Sequence, residues 1–548
     1  MSLSRSTRFS RAGIAAAALA LAALTACSPV ESGSGDSASG QGDDAFGSTA
    51  DAGAVQEGGT LTMALSAEPD MLDPTLSRSL YSRYVFETMC EKLYDVDQDA
   101  EVVPQLATAL PKTSDDGKTV TIPLRTDAVF ADGTELDSAA VKTTLERDLT
   151  NPQSGRTSEL GPVSSIETPD PSTVVVHFKE PFTPFTAALA DRAGMIMSPT
   201  ALEKYGDDFA SHPTCVGPFK FSKRVPQNSI EVVRDPHYYD ADKVHLDKIV
   251  WRILSDSGIR AANLRSGDVA VADTISAQDV GELSKDSSLD ILQSGSLGYQ
   301  GVTFNVGNVD GVGTEPKPID RPDAKSAEVR QAFEYAVDRE GLVKAVFDGQ
   351  YDTACSPIAP ASPYSSDAVQ DCRPHDPAKS RELLKQAGVS TPYKITMLES
   401  NTPDSLRLAQ ALQAMVKEGG FDLKIQPVEY TSLLDQQDRG DFDLLQLGWS
   451  GRVDPDANIT PFVGSGGSLN VAGYSNPDLD KILDDARQAQ DLSTRQELYG
   501  KANAVMQEDD PIVYLYRQRN ITGVSQDVQG VQVFPDGVVR LAFAGLTK

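Results

Sequence analysis

Between residues 393 and 447 the chain reads YKITMLESNTPDSLRLAQALQAMVKEGGFDLKIQPVEYTSLLDQQDRGDFDLLQL. Residues 393–399 predict a strand. Residues 405–418 predict a helix, because Leu408, Leu412 and Met415 recur at helical spacing beside Ala411 and Ala414. Gly419 and Gly420 end that helix. Residues 422–428 predict a second strand, 430–439 a short helix, and 442–447 a third strand. The order β-α-β-α-β is the unit of a parallel, helix-covered sheet, so the fold class is α/β.

The apolar run 442–447 leads into Gly448, Trp449 and the polar loop SGRVDPDAN, residues 450–458. In open α/β sheets, ligands bind where strands end at their carboxyl side. Trp449, Ser450, Gly451, Arg452 and Asp454 therefore form a candidate ligand surface: a flat apolar wall, two charges and a backbone that allows close approach. The competing reading is structural. Trp449 then caps a core, and Asp454 and Asp456 serve as turn or helix-cap residues.

The chain of 548 residues is too long for one ordinary core and implies two or three domains. Its net charge of −30 sets it against nucleic acid and anionic lipid headgroups. Arg5, Arg8 and Arg11 precede an apolar run from Ala12 to Leu24, too short to span a membrane, as expected of an export signal. Leu24-Thr25-Ala26-Cys27 resembles a bacterial lipobox, which makes Cys27 the expected lipidated residue. Residues 28–56 are rich in Ser, Gly, Asp and Ala and predict a flexible tether, about 30 Å long on average. Folding is expected from Gly59 onward. Residues 60–65 predict a strand, and a helix continues through Leu93 with Tyr81, Tyr84, Val85 and Met89 on one side. Residues 119–124 predict another strand, and Asp137 or Ser138 caps the helix beyond it.

Several stretches together resemble the family 5 extracellular solute-binding proteins of ABC importers, the peptide- and nickel-binding family. They are AEPDMLDP (67–74), CEKLYDVD with VPQLA downstream (90–107), LRTDAVFADGTELDSAAVK (124–142), CVGPFKF (215–221), NLRSGDV (263–269), VRQAFEYAVDRE (329–340) and the loop at Trp449. They fall in family order across nearly the whole mature chain. The resemblance implies a two-lobed periplasmic-binding-protein-like fold of type II with an additional inserted domain. Lobe I would be 57–97, 209–299 and 518–548, the inserted domain 98–208, and lobe III 300–517, closing on ligand as a hinged clamp. It also places Glu68, in the first motif, and Asn305, which ends LGYQGVTFN (297–305), among the expected ligand-site residues. The loop departs from the pattern G-W-x-A-D of many peptide-binding members, whose Asp pairs with the ligand's α-ammonium. Arg452 stands in that place, with Asp454 two residues on. A guanidinium favours carboxylate or phosphate. Either Asp454 takes the ammonium, or the solute presents an anion to Arg452, or Arg452 pairs with Asp454 or Asp456 and stiffens the loop.

With Cys27 lipidated, Cys90, Cys215, Cys355 and Cys372 remain, and four cysteines allow three pairings. Cys90–Cys215 falls within one implied lobe. Cys355–Cys372 closes a Pro- and Ser-rich loop, where a bridge removes roughly 3 kcal/mol of unfolded-state entropy. Catalytic and metal signals are poor. Gly448-Trp449-Ser450-Gly451-Arg452 fails as a nucleophile elbow at Arg452. The five histidines carry no i,i+4 pair. Asp95, Asp97 and Asp99 open a calcium-like loop that has Ala100 and Leu106 where Gly and Glu belong. The expectation is a lipid-anchored, monomeric, non-enzymatic receptor outside the cytoplasmic membrane, without metal or cofactor, which hands short peptides to an ABC permease. The alternative solute is an anionic non-peptide such as an opine, a modified amino acid or a siderophore-like compound. An exported hydrolase is the remote alternative.

Overall fold

A computed structural model describes residues 55–547. The expected signal, Cys27 and most of the expected tether lie outside the described residues. The end of that tether is a correction: Val55–Gln56 forms a short strand antiparallel to Gly545–Thr547.

Three sheets organise the chain. The first has seven strands, in the order Leu289–Ser294, Asn520–Ser525, Val271–Ala272, Thr60–Leu65, Lys248–Ile253, Ser229–Arg234 and Phe219–Val225. The second has six, in the order Asp352–Thr353, Ile512–Arg517, Tyr299–Phe304, Leu444–Trp449, Tyr393–Ser400 and Phe421–Val428. A four-stranded antiparallel sheet is drawn from residues 112–178 and has its own core around Phe130, Val141 and Val176. The first two sheets are joined twice. The chain leaves Leu289–Ser294 and enters Tyr299–Phe304, then returns from Ile512–Arg517 to Asn520–Ser525. In each sheet the two joining strands pair with each other, so the connection is a double-stranded hinge.

The β-α-β-α-β unit is present. Tyr393–Ser400 runs parallel to both Phe421–Val428 and Leu444–Trp449. The helix Pro403–Glu418 is capped by Thr402, whose hydroxyl accepts from the Ser405 N–H at 3.3 Å. It buries Leu408, Ala409, Leu412 and Val416, and each larger aliphatic side chain contributes about 1.5–3 kcal/mol of burial. The third strand differs from its expected bounds by two residues. Gly448 continues the strand where the run was expected to end, because it pairs with Gln300 of the adjoining strand; a Cβ there would lie 2.2 Å from the Tyr299 carbonyl oxygen, so the position requires glycine. Trp449 is thus the last residue of the strand, opposite Tyr299. The expected helix reaching Leu93 stops earlier: Leu80–Met89 ends at Cys90, where the backbone turns out of helical conformation. Asp137 caps Ser138–Thr150, accepting from the Ala140 N–H at 2.8 Å.

Cys90 and Cys215 are bridged, with Cα atoms 4.9 Å apart, and so are Cys355 and Cys372, at 5.2 Å.

Candidate functional site

A cavity of about 280 Å3 lies between the seven- and six-stranded sheets. From the first side it is walled by Ala67, by Tyr81 and Tyr84 of Leu80–Met89, and by Thr274 to Ala277. From the other it is walled by Tyr299, by Glu399 and Ser400 at one strand's carboxyl end, and by Gln446 to Ser450 at the next. Tyr430 and Tyr516 complete it. The strands therefore present their carboxyl ends to the cavity, as an open α/β sheet predicts. Aromatic rings, hydroxyls and amides dominate the lining.

Trp449 and Ser450 reach this wall. The indole is locked from behind: its Nε1 donates to Asn458 Oδ1 at 3.0 Å, and the Phe462 ring meets it edge-on at 5.0 Å. The Arg452 guanidinium lies 4.1 Å from its centroid, a cation–π contact. Ser450 Oγ accepts from Arg83 and Arg452, each at 3.3 Å. Both are obligate donors, so the serine's own proton is free for another acceptor.

Gly451, Arg452 and Asp454 stand behind the wall and do not line the cavity. Gly451, at φ 87°, packs on the hinge crossing, where a Cβ would lie 2.2 Å from the Leu297 carbonyl carbon. Arg452 pairs with Asp191, from the chain around the four-stranded sheet, and donates to the Gly451 carbonyl at 2.6 Å. It pairs with neither Asp454 nor Asp456. Asp454 is held by both Arg495 amino groups at 2.7 and 2.8 Å, and Asp456 by Arg487 at 2.8 Å. Asp191 also takes Arg83 Nε at 2.9 Å. Burial alone would raise the Asp191 carboxyl, yet Arg452, Arg83 and Arg192 hold it well below the ordinary range. Burial drives the Arg452 guanidinium well below its ordinary value; Asp191 opposes this, while Arg83 and Arg192 add to it. Arg452 is thus a brace between two parts of the fold, already matched by an acid.

Glu68 and Asn305 also lie off the cavity. Glu68 accepts from Arg224 Nε at 2.9 Å and from the Gln227 N–H at 2.8 Å, tying its segment to the neighbouring hairpin. Asn305 donates to the carbonyls of Asn308 and Gly440, both at 3.0 Å, and accepts from the Asn308 N–H at 2.9 Å. Both are buried polar groups satisfied by protein.

Glu399 was not singled out by sequence. It is 1% exposed and lines the cavity. Burial pushes its carboxyl well above the usual range, against the Ser400 N–H at 2.8 Å and the Ser405 hydroxyl. The signal that marks it is a charged residue closing the apolar run ITML inside a central strand. Tyr299, Tyr430, Gln446 and Tyr516 carried no comparable signal.

The sequence pattern of the bacterial extracellular solute-binding proteins, family 5 (Middle), matches residues 101–470. The glutathione-binding protein GsiB of Salmonella paratyphi A is 30% identical over 489 residues, covering 87% of this chain and 92% of that protein. Among solved structures, the periplasmic binding protein AgaA of A. tumefaciens R10, in complex with agropinic acid, superposes with a TM-score of 0.79 at 28% identity. The match covers 88% of this chain and 96% of AgaA. DppA of Helicobacter pylori, in complex with the peptide STSA, superposes with a TM-score of 0.80 at 23% identity, covering 90% of this chain and 99% of DppA.

Proposed function

Because this chain belongs to the family 5 bacterial extracellular solute-binding proteins, we propose that it is an extracytoplasmic receptor which encloses a short peptide between its two larger sheets and delivers it to an ABC permease. The observation that carries this reading is the cavity itself. It sits astride a double-stranded hinge, at the lower end of small-molecule pocket sizes, with aromatic walls and many hydroxyl and amide groups. Such walls suit a solute that is part apolar and rich in peptide groups. The 30% identical relative is named for binding glutathione, a tripeptide, which supports a ligand of that size.

The likeness to the agropinic-acid complex favours a second reading, an anionic opine-like solute. The chemistry of the wall weighs against it. Of the two arginines at the cavity, Arg78 pairs with Asp438. Arg260 is turned to the carbonyls of Leu254, Ser255, Asp273 and Thr274. The deciding measurement is the mass of the solute released when the purified protein is denatured. A peptide mass supports the first reading, and an opine-type acid replaces it with the second. Bound solute raises the melting temperature by mass action and draws the lobes together, which lowers the radius of gyration.

The anchor is a separate proposal. Among the described residues no helix is long and apolar enough to cross a membrane. A lipid on Cys27 would hold the body at the outer face of the membrane. Cys27→Ser then releases the protein into the soluble fraction; a variant that still sediments with membranes refutes the lipid anchor.

A further inference from the structure

The cavity contains one carboxyl group whose chemistry the receptor reading leaves unused. Glu399 is buried at the cavity wall. Among the described residues, no Lys, Arg or His forms an ion pair with it. Its immediate partners are the Ser400 N–H, the Ser405 hydroxyl and the Gln446 amide. The cations nearby are engaged: Arg78 by Asp438, Arg407 by Asp404, and Arg260 by backbone carbonyls. An isolated buried carboxylate costs several kcal/mol, so such a group is retained either neutral or for an incoming charge.

We propose that Glu399 is the countercharge for a primary ammonium group on the solute bound in this cavity, and that it yields its proton to solvent as the pair forms. The inference rests on the receptor reading above. Three features support it. The Gln446 amide lies 3.0 and 3.1 Å from the two carboxyl oxygens. With Glu399 neutral, the carboxyl proton is donated to the amide oxygen while the amide N–H stays on Gln300 Oε1 at 3.3 Å; with Glu399 ionised, both amides turn, so that Gln446 donates to the carboxylate and accepts from Gln300. The site therefore accommodates both protonation states. The rings of Tyr81, Tyr430 and Trp449 line the same cavity, and aromatic faces favour cations. Finally, burial places the carboxyl well above the usual range in the absence of solute. The step balances simply: a neutral carboxyl and an ammonium become a carboxylate–ammonium pair and one proton in solution.

The other groups facing this region are Tyr516, Tyr351, the Asp404–Arg407 and Arg78–Asp438 pairs, and Arg260 with Asp273. Tyr516 is pushed well above its ordinary range by burial, with Tyr351, Glu399 and Asp404 adding to the shift, and stays neutral. Burial raises Asp273 and Asp438 as well, so a variant must separate their protons from that of Glu399.

The test uses the full chain with an equimolar tripeptide mixture and the same mixture N-acetylated. Thermal shift reports binding, and a pH indicator in weak buffer reports protons. For wild type at pH 7, the free-amine mixture should bind roughly 30-fold or more tightly than the acetylated one. It should release up to one proton, and its affinity should rise by up to about tenfold per pH unit. Glu399→Gln should lose the proton release and the preference for the free amine. Equal binding of the two mixtures by wild type, or undiminished proton release from Glu399→Gln, overturns the inference and leaves the peptide receptor standing. Binding of neither mixture overturns the peptide reading and the inference together. Should Glu399→Gln fail to fold, Asp273→Asn and Asp438→Asn take its place: proton release that survives both leaves Glu399 as its source, and release lost in either overturns the inference.

Discussion

The loop after Trp449 and the end of Tyr393–Ser400 belong to neighbouring parallel strands. In the loop, Arg452, Asp454 and Asp456 are each matched by a buried or half-buried opposite charge: Asp191, Arg495 and Arg487. Three residues before Trp449 and one strand over, Glu399 has hydrogen bonds but no cation. The charge-rich loop is architecture, and the sparsely charged strand end faces the cavity with an unmatched group. A buried ion pair has its electrostatic demand already met and offers little to a ligand. An unpaired buried group still gains from an incoming counterion.

The largest expected effect tests the architectural side. Asp454→Ala strands the Arg495 guanidinium, which is 1% exposed, between Tyr364 and Tyr499. Breaking a buried pair from one side costs about 3–5 kcal/mol. Chemical denaturation should show that loss with solute absent. A variant as stable as wild type but defective in binding would put Asp454 back among the ligand contacts.

Arg452→Ala should cost less, about 2–3 kcal/mol, because Asp191 keeps Arg83. Its effect on solute binding should be small beside its effect on stability. A large loss of affinity with unchanged denaturation midpoint would restore the anionic-contact role and reverse the comparison.

How much of this was legible beforehand follows from which interactions are local. The parallel unit at 393–449 declares itself through helical periodicity, closing glycines and apolar runs, all set within a few residues of each other. The cap at Asp137 is equally local. Trp449 and Ser450 were legible as surface candidates because they close a strand. The partners of Arg452, Asp454 and Glu68 were not, because Asp191, Arg495 and Arg224 lie 261, 41 and 156 residues away. Only the fold brings these charges into register. The shifted strand end has the same cause: Gly448 reads as a stop in isolation and becomes a close-packing position once Tyr299 lies alongside.

The two regions should also differ in the sign of their pH dependence. Asp191 and Asp536, which share the Arg83 guanidinium, have folded values below the unfolded ones, Asp191 well below and Asp536 at about 2, where Arg540 and Arg83 outweigh burial. Their contribution is present above the unfolded carboxylate pKa near ~4 and is lost as pH falls toward their folded values. Glu399 is the reverse. Its folded value lies above the unfolded one, so it holds its proton more tightly in the folded state. Its contribution is complete below about pH 4 and declines as pH rises toward its folded value. The stability difference between Glu399→Gln and wild type should therefore shift in favour of the variant from about pH 4 upward. A pH-independent difference would mean that Glu399 is ionised in the folded receptor like any surface carboxylate.

The smallest effect sits where the two regions meet. Ser450 belongs to the loop but reaches the cavity, and its oxygen takes two long hydrogen bonds, from Arg83 and Arg452. Both arginines keep stronger partners in Asp191, so Ser450→Ala should change stability by no more than about 1 kcal/mol. The hydroxyl proton those arginines cannot use is left for another acceptor, and the prediction is that a solute carbonyl or carboxylate in the cavity takes it. Losing that bond should weaken a tripeptide by roughly fivefold, the equivalent of about 1 kcal/mol, with no change in the number of protons released. Calorimetric titration of wild type and Ser450→Ala with one tripeptide that binds reads both quantities. An altered proton count would tie Ser450 to the Glu399 side of the cavity, and unchanged affinity would confine it to bracing the loop.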